Sequence, residues 1–385
     1  LSSSRSSAFF ATAPRGLEAL LLRELQSLGA REAQAVAGGV AFTGSWETCY
    51  RANLWSRIAS RVLWRIDSFS YRGEEDLYEK TKAIDWPGFF TVDRTLRVNL
   101  TAQKSPLRSL EFATLRVKDA VCDRWRAETG KRPDVERTSP DIRIHVFLEK
   151  DRGTLYLDTS GEPLFKRGWR AGRGDAPLRE NLAAGIVMLT GWQPGEPLLD
   201  PMCGGATLLV EAAAMARGRA PGAKRSFGFE KLKDFDAALW DTVRGEKREE
   251  HPNPVLYGSD NDPEALKAAR RNLAAAGVER WVKLEQADVL ERDAPATAGV
   301  MVMNPPYGER MGSLEELARF YPKLGDSLKQ RFAGWRCYVF TADLRLPKLI
   351  RLAPSARTPL WNGALECRLY EFRIVEGSPT RDSRR

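Results

Sequence analysis

Four short apolar runs in the second half of the chain each deliver a polar acceptor to their carboxyl end. Pro197-Leu198-Leu199-Asp200 and Val255-Leu256-Tyr257-Gly258-Ser259-Asp260 stop on an acid. Val282 to Gln286 leads into Ala287-Asp288, and Gly299-Val300-Met301-Val302-Met303 leads into Asn304. Helical segments separate or flank them. Arg179 to Leu189 precedes the first run, alanine-rich Thr207 to Ala216 follows it, and Asp262-Pro263 opens a helix that runs to Ala276 before Gly277. An Asp N-cap followed by proline at the first helical position is a strong helix start. Strands alternating with helices build a parallel α/β sheet, whose ligands bind at the carboxyl ends of the strands. A helix carrying Leu314, Leu317, Tyr321, Leu324 and Leu328, then a strand from Arg336 to Thr341, continue the pattern. Thr358 to Trp361, Asn362-Gly363 and Leu365 to Ile374 read as a closing β-hairpin, because Asn-Gly is the preferred two-residue hairpin turn. Simple dinucleotide-binding domains lack that ending.

The chemistry of those strand ends is specific. In Asn304-Pro305-Pro306-Tyr307-Gly308-Glu309-Arg310 two prolines fix φ and remove two backbone donors, leaving a rigid turn rich in carbonyls. The Asn304 side-chain carbonyl and the Pro305 carbonyl can accept from an exocyclic amino group, and the Tyr307 ring can stack on a base. A Pro-rich turn without chemistry is the plainer alternative. Asp200-Pro201-Met202-Cys203-Gly204-Gly205-Ala206 places glycines between a strand and a helix, where backbone can approach a ligand. It lacks the Gly-Lys-Ser/Thr of a triphosphate loop and the full spaced-glycine dinucleotide fingerprint. Asp200 ahead of the glycines suits a ligand with an ammonium group. Asp260, at the second strand, suits a ribose diol, since Asp262 already supplies the helix cap. Asp288 at the third strand can accept from an adenine amino group.

The front half predicts an α+β module. Phe9 to Thr12 reads as a strand, and Leu17, Leu20, Leu21, Leu25 and Leu28 line one face of a helix stopped by Gly29. Gly39 to Phe42 reads as a returning strand and Glu47 to Ser60 as a second helix, giving a βαβα start. Arg94 to Leu100 and Asp141 to Leu148 alternate as strands, with Gly153 to Asp158 as a hairpin partner. The helix Phe112 to Ala127 carries Arg116, Lys118, Arg124 and Arg126. Lys166-Arg167-Gly168-Trp169-Arg170-Ala171-Gly172-Arg173-Gly174 combines four cations, three glycines and an indole. It suits a strap along phosphates with Trp169 free to stack, and equally a solvated linker. The aromatic, basic stretch Arg217 to Pro254 breaks the alternation as an insertion, a lid or RNA-facing wall by one reading. We expect its aromatics to pack.

Composition closes other classes. With 385 residues the chain is too long for one core. Only two histidines, His145 and His251, are present, which argues against Ser-His hydrolysis and His-ligated metals. Five scattered cysteines without a C-x-x-C pair argue against zinc and for a reducing compartment. Leu1 to Ser7 is polar and lacks the apolar core of a signal peptide, and no run has the roughly 20 apolar residues of a membrane span. The net charge of +9 divides unevenly: 29 cations against 23 anions over residues 1–175, and 31 against 28 beyond. A basic front half fits a nucleic-acid partner.

Together these motifs resemble class I S-adenosylmethionine-dependent methyltransferases. Ser139-Pro140-Asp141-Ile142-Arg143-Ile144, Asp158-Thr159-Ser160-Gly161-Glu162 and Ala176-Pro177-Leu178-Arg179-Glu180-Asn181-Leu182-Ala183-Ala184 extend the resemblance across nearly the whole chain. With the stretch Asn304 to Arg310, they resemble the 23S ribosomal RNA guanine-N2 methyltransferases of the RlmL type. The resemblance implies a ferredoxin-like subdomain (8–60), a THUMP RNA-binding domain (61–165), a basic linker (166–176) and a class I methyltransferase domain (177–376). It implies that Asn181, Asp200, Pro201, Met202, Cys203, Gly204, Gly205, Asp260, Asn261, Asp288 and Asn304 hold S-adenosylmethionine. Asn304, Pro305, Pro306 and Tyr307 become catalytic, and Arg116, Lys118, Lys166, Arg167, Arg170 and Arg173 contact RNA. The implied partner is 23S rRNA, free or in an assembling subunit, met in the cytoplasm by a monomer without metal or membrane. Two departures stand out. Ala206 occupies a position usually held by glycine, and the chain stops after one methyltransferase domain, so a second activity is expected to be absent.

Overall fold

The computed structural model describes residues 6–170, 178–251, 253–305 and 314–375. These fall into two compact units. The first comprises residues up to Ala13, Leu21–Leu164 and Gly222–Glu246; the second comprises Pro14–Leu20, Phe165–Pro221 and everything from Lys247.

In the first unit, β1 (Ser7–Thr12), α1 (Glu18–Ser27), β2 (Arg31–Val36), β3 (Gly39–Gly44) and α2 (Trp46–Trp55) open the chain. The five leucines of α1 are buried as their spacing demands. The expected βαβα start is βαββα, because β2 is an exposed edge strand with no apolar alternation to betray it. The second helix stops at Trp55, five residues before the expected Ser60. There the Glu24 carboxylate accepts from the Arg57 amide at 2.8 Å and from the Ser56 hydroxyl, which captures the exit of the helix. Then come β4 (Arg61–Ser70), α3 (Glu74–Lys82), β5 (Leu96–Gln103), α4 (Leu110–Thr129), β6 (Ile142–Glu149) and β7 (Arg152–Asp158). The seven strands form one sheet in the order β2-β3-β1-β4-β7-β6-β5. His145 lies 3.4 Å from the buried Asp158 carboxylate, within this framework.

Asp158-Thr159-Ser160-Gly161-Glu162 is a hydrogen-bonded knot. Ser160 Oγ donates to Asn53 Oδ1 at 2.6 Å, Asn53 Nδ2 to Thr159 Oγ1 at 2.9 Å, and Thr159 Oγ1 to the Val62 carbonyl at 2.7 Å. Residues 222–246, with α7 (Ala237–Arg244), dock on it. The Phe229 amide donates to the Thr159 carbonyl at 2.9 Å, and the Phe229 ring sits 4.4 Å from that of Tyr50. The aromatics of the insertion therefore pack, as expected, but in the first unit: Phe227, Phe229 and Trp240 gather around Tyr50 of α2.

The second unit holds α5 (Glu180–Leu189), β8 (Leu198–Asp200), α6 (Thr207–Ala216), β9 (Leu256–Asp260), α8 (Pro263–Ala276), β10 (Val282–Gln286) and β11 (Gly299–Met303). It continues through α9 (Leu314–Arg331), β12 (Trp335–Thr341), α10 (Leu346–Leu349), β13 (Ala356–Asn362) and β14 (Leu365–Arg373). Its sheet runs β10-β9-β8-β11-β12-β14-β13, parallel through β12. The β14 strand enters antiparallel between β12 and β13. The predicted α/β sheet with a terminal hairpin is thus present. Every residue of β11 is buried, as a central parallel strand covered on both faces requires. Strand order reverses between β8 and β11, and a crevice at such a switch point is where this architecture binds ligands.

Helix α9 packs on α10 through Gly325, where a Cβ would lie 1.9 Å from the Ile350 carbonyl oxygen. Alanine normally stabilises a helix interior over glycine by about 1 kcal/mol. Here the sign should reverse. Urea melts of Gly325→Ala are expected to show a loss of about 1–3 kcal/mol from the overpacked contact.

Candidate active site

The loop after β8 is held from three sides. The Cys203 amide donates to the Ser259 carbonyl at 2.9 Å, and the Gly204 amide to Asp260 Oδ2 at 2.8 Å. Asn272 of α8 donates from Nδ2 to the Gly205 carbonyl at 2.9 Å. Asp260 Oδ1 accepts from the Asp262 amide at 3.0 Å, and Asp262 in turn caps α8 by accepting from Glu264 at 2.9 Å. So Asp260 is not a helix cap. It joins the loop to the end of β9.

Gly204 has φ 50°, and the space a Cβ would enter is open to at least 4 Å among the described residues. Ala206, standing in for the usual glycine, keeps the left-handed conformation at φ 61° and ψ 29°. The backbone path is preserved and the side chain bears the strain.

Asp200 is 2% exposed and its carboxylate accepts from the Met202 amide at 3.3 Å. Burial, reinforced by the nearby Asp260 carboxylate, pushes it up to about 8. Burial also raises the Cys203 thiol, so that sulfur is no ready nucleophile. Asp288 follows β10, exposed, with its Oδ1 accepting from Leu290 at 2.9 Å. Asn261 is exposed beside Asp260, and its carbonyl accepts from Gln286 at 3.2 Å. Asn181 is buried in the first turn of α5. Asn304 follows β11 with its Oδ1 buried and lacking a hydrogen-bond partner among the described residues. Pro305 is buried next to it. Pro306, Tyr307 and the residues through Arg310 lie outside the described residues.

Across the sheet the strand ends therefore read Asp288, Asp260, Asp200, Asn304 in spatial order β10-β9-β8-β11. An adenine acceptor, a ribose acceptor and an ammonium partner come first, and then an acceptor buried without a donor. That donor set fits a nucleoside carrying an aminoacid chain, with a second amine opposite it. Among the described residues no group of His, Cys, Asp and Glu is placed to hold a metal ion.

The family model described as the RMKL-like methyltransferase domain matches residues 167–371, more than half of the chain. The chain belongs to this family. Models of the RlmL ferredoxin-like domain and the THUMP domain match residues 8–63 and 71–158. A ribosomal RNA large subunit methyltransferase K/L from Syntrophotalea carbinolica is 42% identical over 96% of this chain and 54% of its own length. The chain thus spans about half the length of the curated relatives it matches. Among solved structures, SMU.472, described as a methyltransferase complexed with SAH, superposes with a TM-score of 0.87 at 30% identity, covering 96% of this chain and 99% of its own. A chain from Listeria monocytogenes described as a predicted N6-adenine-specific DNA methylase gives 0.86 at 31%, covering 96% and 97%.

The basic residues chosen for RNA fare unevenly in this family member. Arg167 is 3% exposed and its Nε lies 3.4 Å from the buried Glu211 carboxylate, while Trp169 is 6% exposed. Neither is presented to a ligand as the open-strap reading required, because each is absorbed into the second unit. Arg170 donates to Glu180 at 2.9 Å, to the Leu178 carbonyl at 3.1 Å and to Thr207 at 3.2 Å. It ties the start of α5 to the first residue of α6, directly behind the glycine loop. Lys166 is exposed, and Arg173 lies outside the described residues. In the first unit Arg116 pairs with Glu75 at 2.6 Å and covers the Tyr78 ring, and Lys118 pairs with Asp119 at 2.8 Å.

Sequence reasoning missed Ser259 and Asn272, which support the loop from below. A signal existed for Asn272: it lies three residues after Ala269 and six after Leu266, a polar interruption of the buried stripe of α8.

Two outcomes follow from this geometry. Ala206→Gly should remove the left-handed strain and raise stability by up to about 1 kcal/mol in urea melts, without weakening ligand binding. Asp200 is protonated in the folded chain up to about pH 8 but ionises in the unfolded chain near its ordinary value of 3.8. Its contribution to stability is therefore complete below pH 4 and is lost as pH rises to 8. Asp200→Asn lacks this loss, so its melting temperature should gain on wild type steadily from pH 4 to pH 8. A pH-independent difference would refute the assignment.

Proposed function

We propose that this chain transfers a methyl group from S-adenosylmethionine to the exocyclic N2 of a guanine in 23S rRNA. The observation that carries the reading is the buried Asn304 Oδ1, an acceptor lacking a partner among the described residues, beside a loop suited to the methyl donor. A buried acceptor left unmade costs about 1–3 kcal/mol, and an amino group of a substrate is the donor that relieves it. The RMKL-like, THUMP and RlmL ferredoxin-like matches support a ribosomal RNA substrate. We further propose the boundaries 8–60, 61–165, 166–176 and 177–376, with residues 222–246 assigned to the front region, and a cytoplasmic monomer.

When bound, S-adenosylmethionine supplies an electrophilic methyl on a sulfonium. Asp288 would accept from its adenine, Asp260 from its ribose and Asp200 from its ammonium. Asn304 Oδ1 and the Pro305 carbonyl would accept the two N–H bonds of guanine N2, orienting a nitrogen whose lone pair is delocalised into the ring. As that nitrogen gains positive charge, both acceptors favour it, which is preorganised electrostatic stabilisation. The methylated nitrogen is acidic and sheds its proton without a dedicated base. Tyr307 would stack on a base extruded from its helix.

The same two acceptors would serve adenine N6, the specificity named for the Listeria structure. Product identity separates the readings. With 23S rRNA transcript, nucleoside mass spectrometry should find N2-methylguanosine, and bulk tRNA should be a poor substrate. Asn304→Ala should lower methyl transfer by at least about 100-fold while leaving S-adenosylhomocysteine affinity nearly unchanged. Asp260→Ala should instead weaken that affinity by about tenfold or more in calorimetry. Wild-type turnover in Asn304→Ala would remove the basis of the proposal.

A further inference from the structure

Strand β12 lies on the side of β11 away from the cofactor acids, so its exit is the natural place for contacts to the methyl acceptor. Val339 of β12 is paired with Met303 of β11, and one residue on, Phe340 stands beside Asn304. The segment Thr341 to Arg345 therefore emerges at the same carboxyl edge as the amine-holding motif. It is built as a rigid support. Thr341 is fully buried, its hydroxyl is 3.3 Å from that of Tyr321, and it accepts from the Asp343 amide at 3.0 Å. Asp343 is 9% exposed. Its Oδ1 accepts from the amide and Nε of Arg345, both at 2.9 Å, and its Oδ2 accepts from Nη2 at 2.8 Å. The Arg345 side chain is 45% exposed, and its neighbour Leu344 is 50% exposed.

An ion pair two residues apart on a surface adds little stability and needs no such foundation. Here a line of buried bonds ends on a half-exposed guanidinium whose plane is set by a carboxylate. With the Nε–Nη2 edge against Asp343, the opposite edge is oriented too. We infer that Arg345, aimed by Asp343, recognises the O6/N7 edge of the guanine whose amino group Asn304 holds. This rests on the guanine reading above and makes Arg345 a specificity-determining residue and Asp343 a positioning one. Guanine offers two acceptors on that edge, matched to a guanidinium fork, whereas adenine puts an amino donor beside N7. A phosphate contact draws mainly on net positive charge, which Asp343 cancels. A base edge draws on orientation, which Asp343 supplies. The exposed Leu344 adds an apolar surface alongside.

The test uses the full chain and 23S rRNA transcripts made with guanosine or, throughout, with 7-deazaguanosine, which keeps O6 and N2 and loses the N7 acceptor. Wild type should lose about tenfold in kcat/KM on the 7-deaza transcript. Arg345→Ala should fall by about tenfold or more on the guanosine transcript and no longer distinguish the two. Arg345→Lys should behave likewise, because an ammonium keeps the charge but not the fork. S-adenosylhomocysteine binding should stay at the wild-type value in both variants, which reports an intact cofactor site. The inference is overturned if either variant keeps the wild-type ratio between transcripts. It is also overturned if lysine restores full activity while Arg345→Ala lowers the salt dependence of RNA binding by about one counterion, the mark of a phosphate contact. If wild type yields N6-methyladenosine, the guanine reading itself fails, and that is seen before any variant is made.

Discussion

One hydrogen bond, from the Gly204 amide to Asp260 Oδ2, ties together the parts of the second unit that must act as one. The glycine loop after β8 has little to hold it, since its residues are small and its turns left-handed. Asp260 fixes it from the neighbouring strand, Ser259 supports Cys203, and Asn272 holds Gly205 from α8. The arrangement asks two things of one carboxylate. One oxygen holds the loop, and the same group lies where a ribose would be gripped. Loop shape and ligand recognition therefore cannot vary independently at this position.

Asp200 illustrates the opposite demand. It is buried, beside a second acid, and accepts a single long bond from Met202. Without a cation nearby the charged form is disfavoured, so the proton stays on up to about pH 8. A ligand ammonium would reverse that balance, because an opposite charge close by favours the ionised form. Asp200 is then neutral without ligand and charged with it. The loop does not carry an uncompensated buried charge in the free protein.

How much of this was legible in the sequence depended on the type of burial. Parallel strands covered on both faces must be unbroken apolar runs, so β9, β10 and β11 could be read to within a residue, with the acids and Asn304 at their ends. Helices α6 and α8 were equally clear, the latter from its Asp-Pro cap. Elements exposed on one side were harder. Strand β2 has a single half-buried residue, and α3 buries only Leu77 and Thr81 within a Glu/Lys-rich stretch. Long-range partners were not legible at all. Nothing near Arg167 announces that Glu211 will bury it, and nothing in residues 222–246 announces that Tyr50 gathers their rings. Ala206 is the instructive middle case. Its departure from glycine could be read directly, but only the φ of 61° shows that the backbone kept its path and the side chain took the strain.

The order of strands then does more than fold the chain. Reading β10-β9-β8-β11-β12 along the carboxyl edge gives adenine acceptor, ribose acceptor, ammonium partner, amine acceptor, and last the Asp343–Arg345 fork. A donor and an acceptor meeting in line must be laid out along a single axis, and parallel strands spaced about 4.8 Å apart supply one. The switch between β8 and β11 is where the cofactor half ends and the substrate half begins. Asn304 stands on the substrate side of that boundary, and the strand after it carries the next set of oriented donors. The amine-holding motif names only an amino group. It takes a second feature, on a different strand, to name the base that bears it.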